Sequence, residues 1–133
     1  MNENQALLKD ISNAAATGMD AISSILPEVK NSRMQNTLLN QLHRYREFAG
    51  RSGVKQKKSL MNTAAKISMK VQTKMNHSPS RIASMMMQGS EMGIIKLQKS
   101  LNHHPAASKN ARALADEMIR FEQKTIDAYK PFL

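Results

Sequence analysis

Every proline in this chain falls at an edge of a run of apolar residues spaced three and four apart, never inside one. The four are Pro27, Pro79, Pro105 and Pro131. A proline inside a helix removes a backbone hydrogen bond and clashes with the preceding turn. The stretches between these positions, with their 3.6-residue period, therefore read as helices, and no run shows the period of two that a half-buried strand requires.

The first helix is expected from about Glu3 to Leu26, with the stripe Leu8, Ile11, Ala15, Met19, Ile22 and Leu26, and it stops at Pro27. The second is expected to open at Ser32, where Gln35 three residues on suggests a capping box. Its stripe is Met34, Leu38, Leu42, Tyr45 and Ala49, with Gly50 and Gly53 bracketing its end. A shorter helix is marked by Leu60, Ala64, Ile67, Val71 and Met75. Ser78-Pro79 is a restart signal, Ser as N-cap and Pro at the first helical position. The stripe that follows is Ile82, Met86, Gly89, Gly93, Leu97 and Leu101, ended by His103-His104-Pro105. Ser108 caps the last helix. Its seam is Ala111, Ala115, Met118, Glu122, Thr125 and Tyr129, with Leu114, Phe121 and Ile126 beside it.

A chain of 133 residues suits one domain, residues 1–133, with one core. Eleven Met and no Trp mean that this core is built from Leu, Ile, Ala and the adaptable thioether side chain. There is no Cys, hence no disulfide and no thiolate metal ligand. The opening MNENQALLKD lacks the basic-then-apolar pattern of a signal peptide, and no stretch has the length of a membrane span. Four long helices, with a connection from about 50 to 77 between the second and third, fit an all-α antiparallel four-helix bundle. One long crossover of that kind, here carrying a short basic helix, is the ferritin-like topology.

Three blocks also resemble a family of small ferritin-like proteins of Firmicutes, especially clostridia. They are Gly18-Met19-Asp20-Ala21-Ile22, the run from Ile82 to Ile95 that reads IASMMMQGSEMGII, and Tyr129-Lys130-Pro131-Phe132-Leu133. The resemblance implies a helical bundle in a bacterial cytoplasm and carries no assigned activity with it.

Charge is segregated as well as high. The formal net charge is +10, yet the 43 residues from Phe48 to Ser90 contain no Asp or Glu. That window holds Arg51, Lys55, Lys57, Lys58, Lys66, Lys70, Lys74 and Arg81. Lys66, Lys70 and Lys74 recur every four residues, so like charges repel along one helix face. Such a footprint points to an anionic partner, unless acids elsewhere in the bundle neutralise it or it is simply a solvated face. Nucleic acid, an acidic protein and an anionic membrane surface are the candidate partners. Aromatics able to stack on bases are absent from 49 to 120, and the basic helix has no Trp or Phe anchor, so membrane contact would be weak.

A ferritin-like di-iron site needs Glu-x-x-His pairs on two helices. None of His43, His77, His103 and His104 has a Glu three residues before it. What remains is His43 with Glu47 one turn later, and Glu122 on the last seam. Glu122 is either a core carboxyl bonded to Tyr45, Gln41 or an Arg, or a metal carboxylate. His103 and His104 suit a helix C-terminus better than a metal. Gly89 and Gly93 are expected to admit a neighbouring helix closely, and Met85, Met86, Met87 and Met92 to form either a soft partner surface or a face buried on two neighbours.

The expectation from sequence is a non-enzymatic cytoplasmic binding protein without a cofactor. Its basic crossover face would meet a polyanion or an acidic protein, and homo-oligomers are allowed. The alternative is a ferritin-like protein with a degenerate metal site at His43, Glu47 and Glu122.

Overall fold

A computed structural model describes residues 1–55 and 78–133. The described residues are all-helical, with no strand among them. Four helices pack together: α1 (Glu3–Ile25), α2 (Ser32–Ser52), α3 (Pro79–His103) and α4 (Lys109–Tyr129). The closest pairings are α1 with α2 and α3 with α4, and the two pairs meet along α1·α3, α1·α4 and α2·α4. The short helix expected between Leu60 and Met75 lies outside the described residues.

Local chemistry sets each boundary. Asn2 caps α1, its side chain accepting from Gln5 N while the Gln5 side chain accepts from Asn2 N, which closes a full capping box. Pro27 then directs the chain into a 3-10 turn, Leu26–Glu28. At α2 the expected cap moves back by one residue. Asn31 Oδ1 accepts from Met34 N at 2.9 Å, and Gln35 Nε2 donates outward to the Val29 carbonyl at 2.7 Å, so Ser32 is the first helical residue. Asn and Ser are near-equal caps, so composition alone does not separate them. Gly50 sits inside α2, and Gly53 ends it with a φ of 68°, in the left-handed region where glycine has no steric cost. Ser78 and Ser108 cap α3 and α4 as expected, accepting from Arg81 N and Ala111 N.

Each helix buries one stripe. On α2 and α4 the stripes follow the expected spacing: Met34, Leu38, Leu42, Tyr45 and Ala49 are buried, as are Ala111, Ala115, Met118, Glu122, Thr125 and Tyr129. On α1 the buried set is Leu7, Ile11, Ala15, Ile22 and Ile25, with Leu8, Met19 and Leu26 half-buried at its edge. On α3 the stripe is Ile82, Met86, Ser90, Leu97 and Leu101. Ser90, not Gly89, occupies the core position. Burying a Leu, Ile or Met side chain contributes about 1.5–3 kcal/mol, so these stripes outweigh any single polar contact in holding the bundle.

The α3–α4 connection is tied to the start of α1. Glu3 accepts from Ala106 N, Asn4 from Ser108 N, and Ser100 donates to Asp10 at 2.6 Å. Arg112 donates to the carbonyls of Leu101 and His104, adding to the turn bonds those carbonyls accept from His104 N and Ala107 N at the end of α3. No described helix is long and apolar enough to cross a membrane.

Candidate functional site

Four buried residues of the bundle form a chain of hydrogen bonds running from α4 to α2 and back. Tyr129 donates to Gln41 Oε1 at 2.6 Å; Gln41 Nε2 donates to Tyr45 Oη at 2.9 Å; Tyr45 donates to Glu122 Oε1 at 2.6 Å. All four residues lie on the buried stripes of α2 and α4, where a polar tip must find a partner. Every link donates toward Glu122, which is 3% exposed.

Two glycines make room for this chain. A Cβ on Gly93 of α3 would stand 2.6 Å from Glu122 Oε2, and one on Gly18 of α1 would run into the Tyr45 ring. The expectation that Gly93 admits a close neighbour therefore holds, and that neighbour is a carboxyl group. Gly89 does not: it is exposed, and a Cβ there would meet nothing within 4 Å. The reason is the one-residue shift of the α3 stripe, which turns Gly89 outward and Ser90 inward. Ser90 Oγ lies beside the Tyr45–Glu122 pair yet completes no hydrogen bond.

Burial pushes the Glu122 carboxyl up to about 7, against the smaller opposing pull of its Tyr45 and Ser90 neighbours. A buried carboxylate without a cation is costly, so the group favours its neutral form. Burial, and then the charge of Glu122, push the Tyr45 hydroxyl well above its ordinary value; Tyr129 is raised for the same reasons. Both phenols remain donors at neutral pH.

The metal candidates do not come together. His43 and Glu47 are exposed on the outer face of α2, and Glu47 pairs with Arg44 at 3.0 Å. Glu122 points into the core and is held by Tyr45. Among the described residues no group of three or more His, Asp or Glu could hold a metal ion. Of the histidine pair, His103 Nδ1 lies 2.7 Å from the Lys99 carbonyl and His104 Nδ1 2.8 Å from the Ser100 carbonyl, each four residues back on its own helix. A surface pocket of about 250 Å³ lies at the α1–α2 connection against Val29, Met34 and Ile82, and its lining includes no member of the Glu122 chain.

Of the basic window, Arg51, Lys55 and Arg81 are described and exposed, while Lys57, Lys58, Lys66, Lys70 and Lys74 lie outside the described residues. Arg51 is not free. It pairs with Glu117 of α4 at 2.6 Å, and this contact holds the Glu117 carboxyl below its ordinary range and raises Arg51. Arg44 stacks over Phe48 and Phe121, 4.7 and 5.3 Å from their ring centres, and lies 3.9 Å from Glu117.

Sequence reasoning placed Glu122 and Tyr45 on facing stripes but missed Gly18, Ser90 and the Glu117–Arg51 pair. Small residues on a stripe signal close approach without saying what approaches, and an exposed ion pair between helices leaves no periodic trace. No family model matches the chain, and neither the curated proteins nor the solved structures compared with it give a match.

Proposed function

We propose that this chain is a non-enzymatic binding protein of the cytoplasm whose basic surface meets a polyanion, nucleic acid first, or an acidic protein. The observation that carries this reading is how the bundle uses its acids. Glu3, Asp10 and Glu122 are each engaged by a neutral donor: a backbone amide, a serine hydroxyl and a tyrosine hydroxyl. Among the described residues the cations in ion pairs are Arg44, Arg51 and Lys130. A chain of net charge +10 thus spends part of its small stock of carboxylates on structure, and among the described residues the lysines and most of the arginines are exposed.

The antiparallel, ferritin-like wiring belongs to the same proposal. Contacts between α1 and α3 join Asp10 to Ser100, and those between α2 and α4 join Gln41 to Tyr129, Tyr45 to Glu122 and Arg51 to Glu117. In the latter set numbers rise along one helix as they fall along the other, which favours opposed directions. Kinship with the small ferritin-like proteins of Firmicutes is a proposal of equal standing. The degenerate metal site gains no support from the geometry, because His43 and Glu47 lie on the outer face of α2 while Glu122 lies in the core.

The test is a binding titration of the full chain against duplex DNA, single-stranded RNA and anionic vesicles over a range of salt. Phosphate contacts predict sequence-independent binding that weakens steeply as salt rises. The triple change Lys66→Glu, Lys70→Glu, Lys74→Glu is expected to abolish binding with helical content unchanged. If the wild type binds none of the three at low salt, the polyanion reading fails.

A further inference from the structure

The third helix of the bundle has a second, outer face that the other described helices leave largely exposed. Its inner stripe is buried, but positions 81, 85, 88, 92, 95, 99 and 102 alternate spacings of four and three along the outside. That spacing is the seam of a coiled coil. Arg81, Met85, Gln88, Met92, Ile95, Lys99 and Asn102 occupy it. Met92 is 56% exposed and Ile95 54%, and Met85 is half-buried. The seam carries Met85, Met92 and Ile95 with Gln88 between the first two, and it is polar or basic at its ends.

The flanks of this seam carry a charge code. One flank is Ser84, Glu91 and Gln98; the other is Gly89, Lys96 and His103. In a parallel helix pair each residue of the first flank meets the residue five positions further along on the partner's second flank. Glu91 then meets Lys96, Gln98 meets His103, and Ser84 meets Gly89. Every match is compatible, and the pair's two-fold symmetry makes each occur twice. An antiparallel pair brings each flank against its own copy, so no Glu–Lys match forms. Neither Glu91 nor Lys96 takes part in an ion pair among the described residues.

Gly89 finds a use here as well. A glycine inside an exposed helix costs roughly 1 kcal/mol relative to alanine, and among the described residues nothing approaches Gly89. On the flank of a helix pair it lets the partner's backbone come close.

We infer that a second copy of this chain docks along the outer face of α3 in parallel register, with Met85, Met92 and Ile95 at the seam and Glu91 of each copy paired with Lys96 of the other. Three apolar residues per copy make a small interface of the weak, transient class, and the cationic excess of both copies opposes it. This inference is independent of the polyanion reading.

The experiment is sedimentation equilibrium of the full chain at physiological ionic strength, over roughly 0.01–1 mM, the range where a weak pair dissociates. The wild type is expected to show a monomer–dimer equilibrium, and Ile95→Glu to stay monomeric throughout. Glu91→Lys and Lys96→Glu are each expected to weaken dimerisation by about tenfold or more, since each replaces two attractive contacts with two repulsive ones. The double variant Glu91→Lys/Lys96→Glu restores the opposite-charge match and is expected to return to within about threefold of wild type. All three positions are exposed, and circular dichroism of each variant verifies the fold. A monomeric wild type overturns the inference, as does a dimer that survives Ile95→Glu. Failure of the double variant to recover overturns the parallel register and, with it, the proposed pairing.

Discussion

Glu117 and Glu122 stand on one helix less than two turns apart, and the bundle treats them in opposite ways. Glu117 lies at the rim of the α2–α4 contact, held by Arg51 at 2.6 Å and approached by Arg44. Its charge is solvated and paired, and its carboxyl is held low, chiefly by the hydrogen bond from Arg51. Glu122 lies in the core behind it, with a phenol for a partner and no cation, and burial lifts it to about 7. The residue type is the same; what differs is water and the sign of the neighbour. At the rim an acid cancels cationic charge. In the core an acid serves as the end point of a hydrogen-bond chain and leaves a cation elsewhere unbalanced.

The largest test of this contrast is pH. A folded value of about 7 against an ordinary 4.5 means that the native state holds a proton which the unfolded chain has already lost. The stability contributed by protonated Glu122 is fully present below about pH 4.5 and is lost as pH rises through 7. At about 1.36 kcal/mol per pKa unit this amounts to roughly 3 kcal/mol. Glu122→Gln removes the titration while keeping an oxygen for Tyr45 and adding a donor toward Ser90. The variant should therefore exceed wild type in stability at pH 8 by up to about 3 kcal/mol. Urea melts at pH 5 and pH 8 read the difference. An identical pH dependence in both proteins would contradict the buried, unpaired state of the carboxyl.

Next comes the space around the pair. Gly18→Ala puts a methyl group into the Tyr45 ring, an aromatic side chain fixed by its own hydrogen bonds. An overpacking cost of about 1–3 kcal/mol is expected in chemical denaturation. Unchanged stability would show that the Tyr45 ring is free to move aside. Gly89→Ala is the outside counterpart. Nothing lies within 4 Å, so relief of glycine's entropy cost predicts a gain of about 0.5–1 kcal/mol in the same assay. A loss would mean that the α3 stripe runs through Gly89 after all.

The rim should respond least. Glu117→Gln breaks an exposed pair, and such pairs contribute at most about 1 kcal/mol and weaken with salt. Its sign with pH is opposite to that of Glu122: the stability is present above about pH 4.5 and lost on acidification. A thermal shift that vanishes in 1 M salt fits this assignment, whereas a large salt-independent loss would place Glu117 in the core's energetics.

The contrast also marks what the sequence could and could not convey. The four long helices, the caps at Ser78 and Ser108, and the stripes of α2 and α4 follow from spacing, because one turn of helix is enough to sort their residues. Glu122 was legible as a seam residue in need of a partner, with Tyr45 among its three candidates. Its flanking glycines were harder. On α3, Gly89, Ser90 and Gly93 are all small, so no side-chain volume distinguishes the inward position, and the stripe reads equally well one residue away. Asn31 and Ser32 posed the same problem at the start of α2. The Glu117–Arg51 pair is a meeting of two separate helix surfaces, which no single helix pattern contains. It also qualifies the acid-free window, since one of its eight cations is balanced by a residue sixty-six positions away.

The most direct measurement is a carbon-13 NMR titration of the glutamate side-chain carboxyls, with Glu117→Gln and Glu122→Gln used to assign the two resonances. Glu122 is expected to titrate near pH 7 and Glu117 below the ordinary glutamate range in the same sample. Two resonances moving together at the ordinary value would contradict it, because rim and core would then present the same environment to both acids.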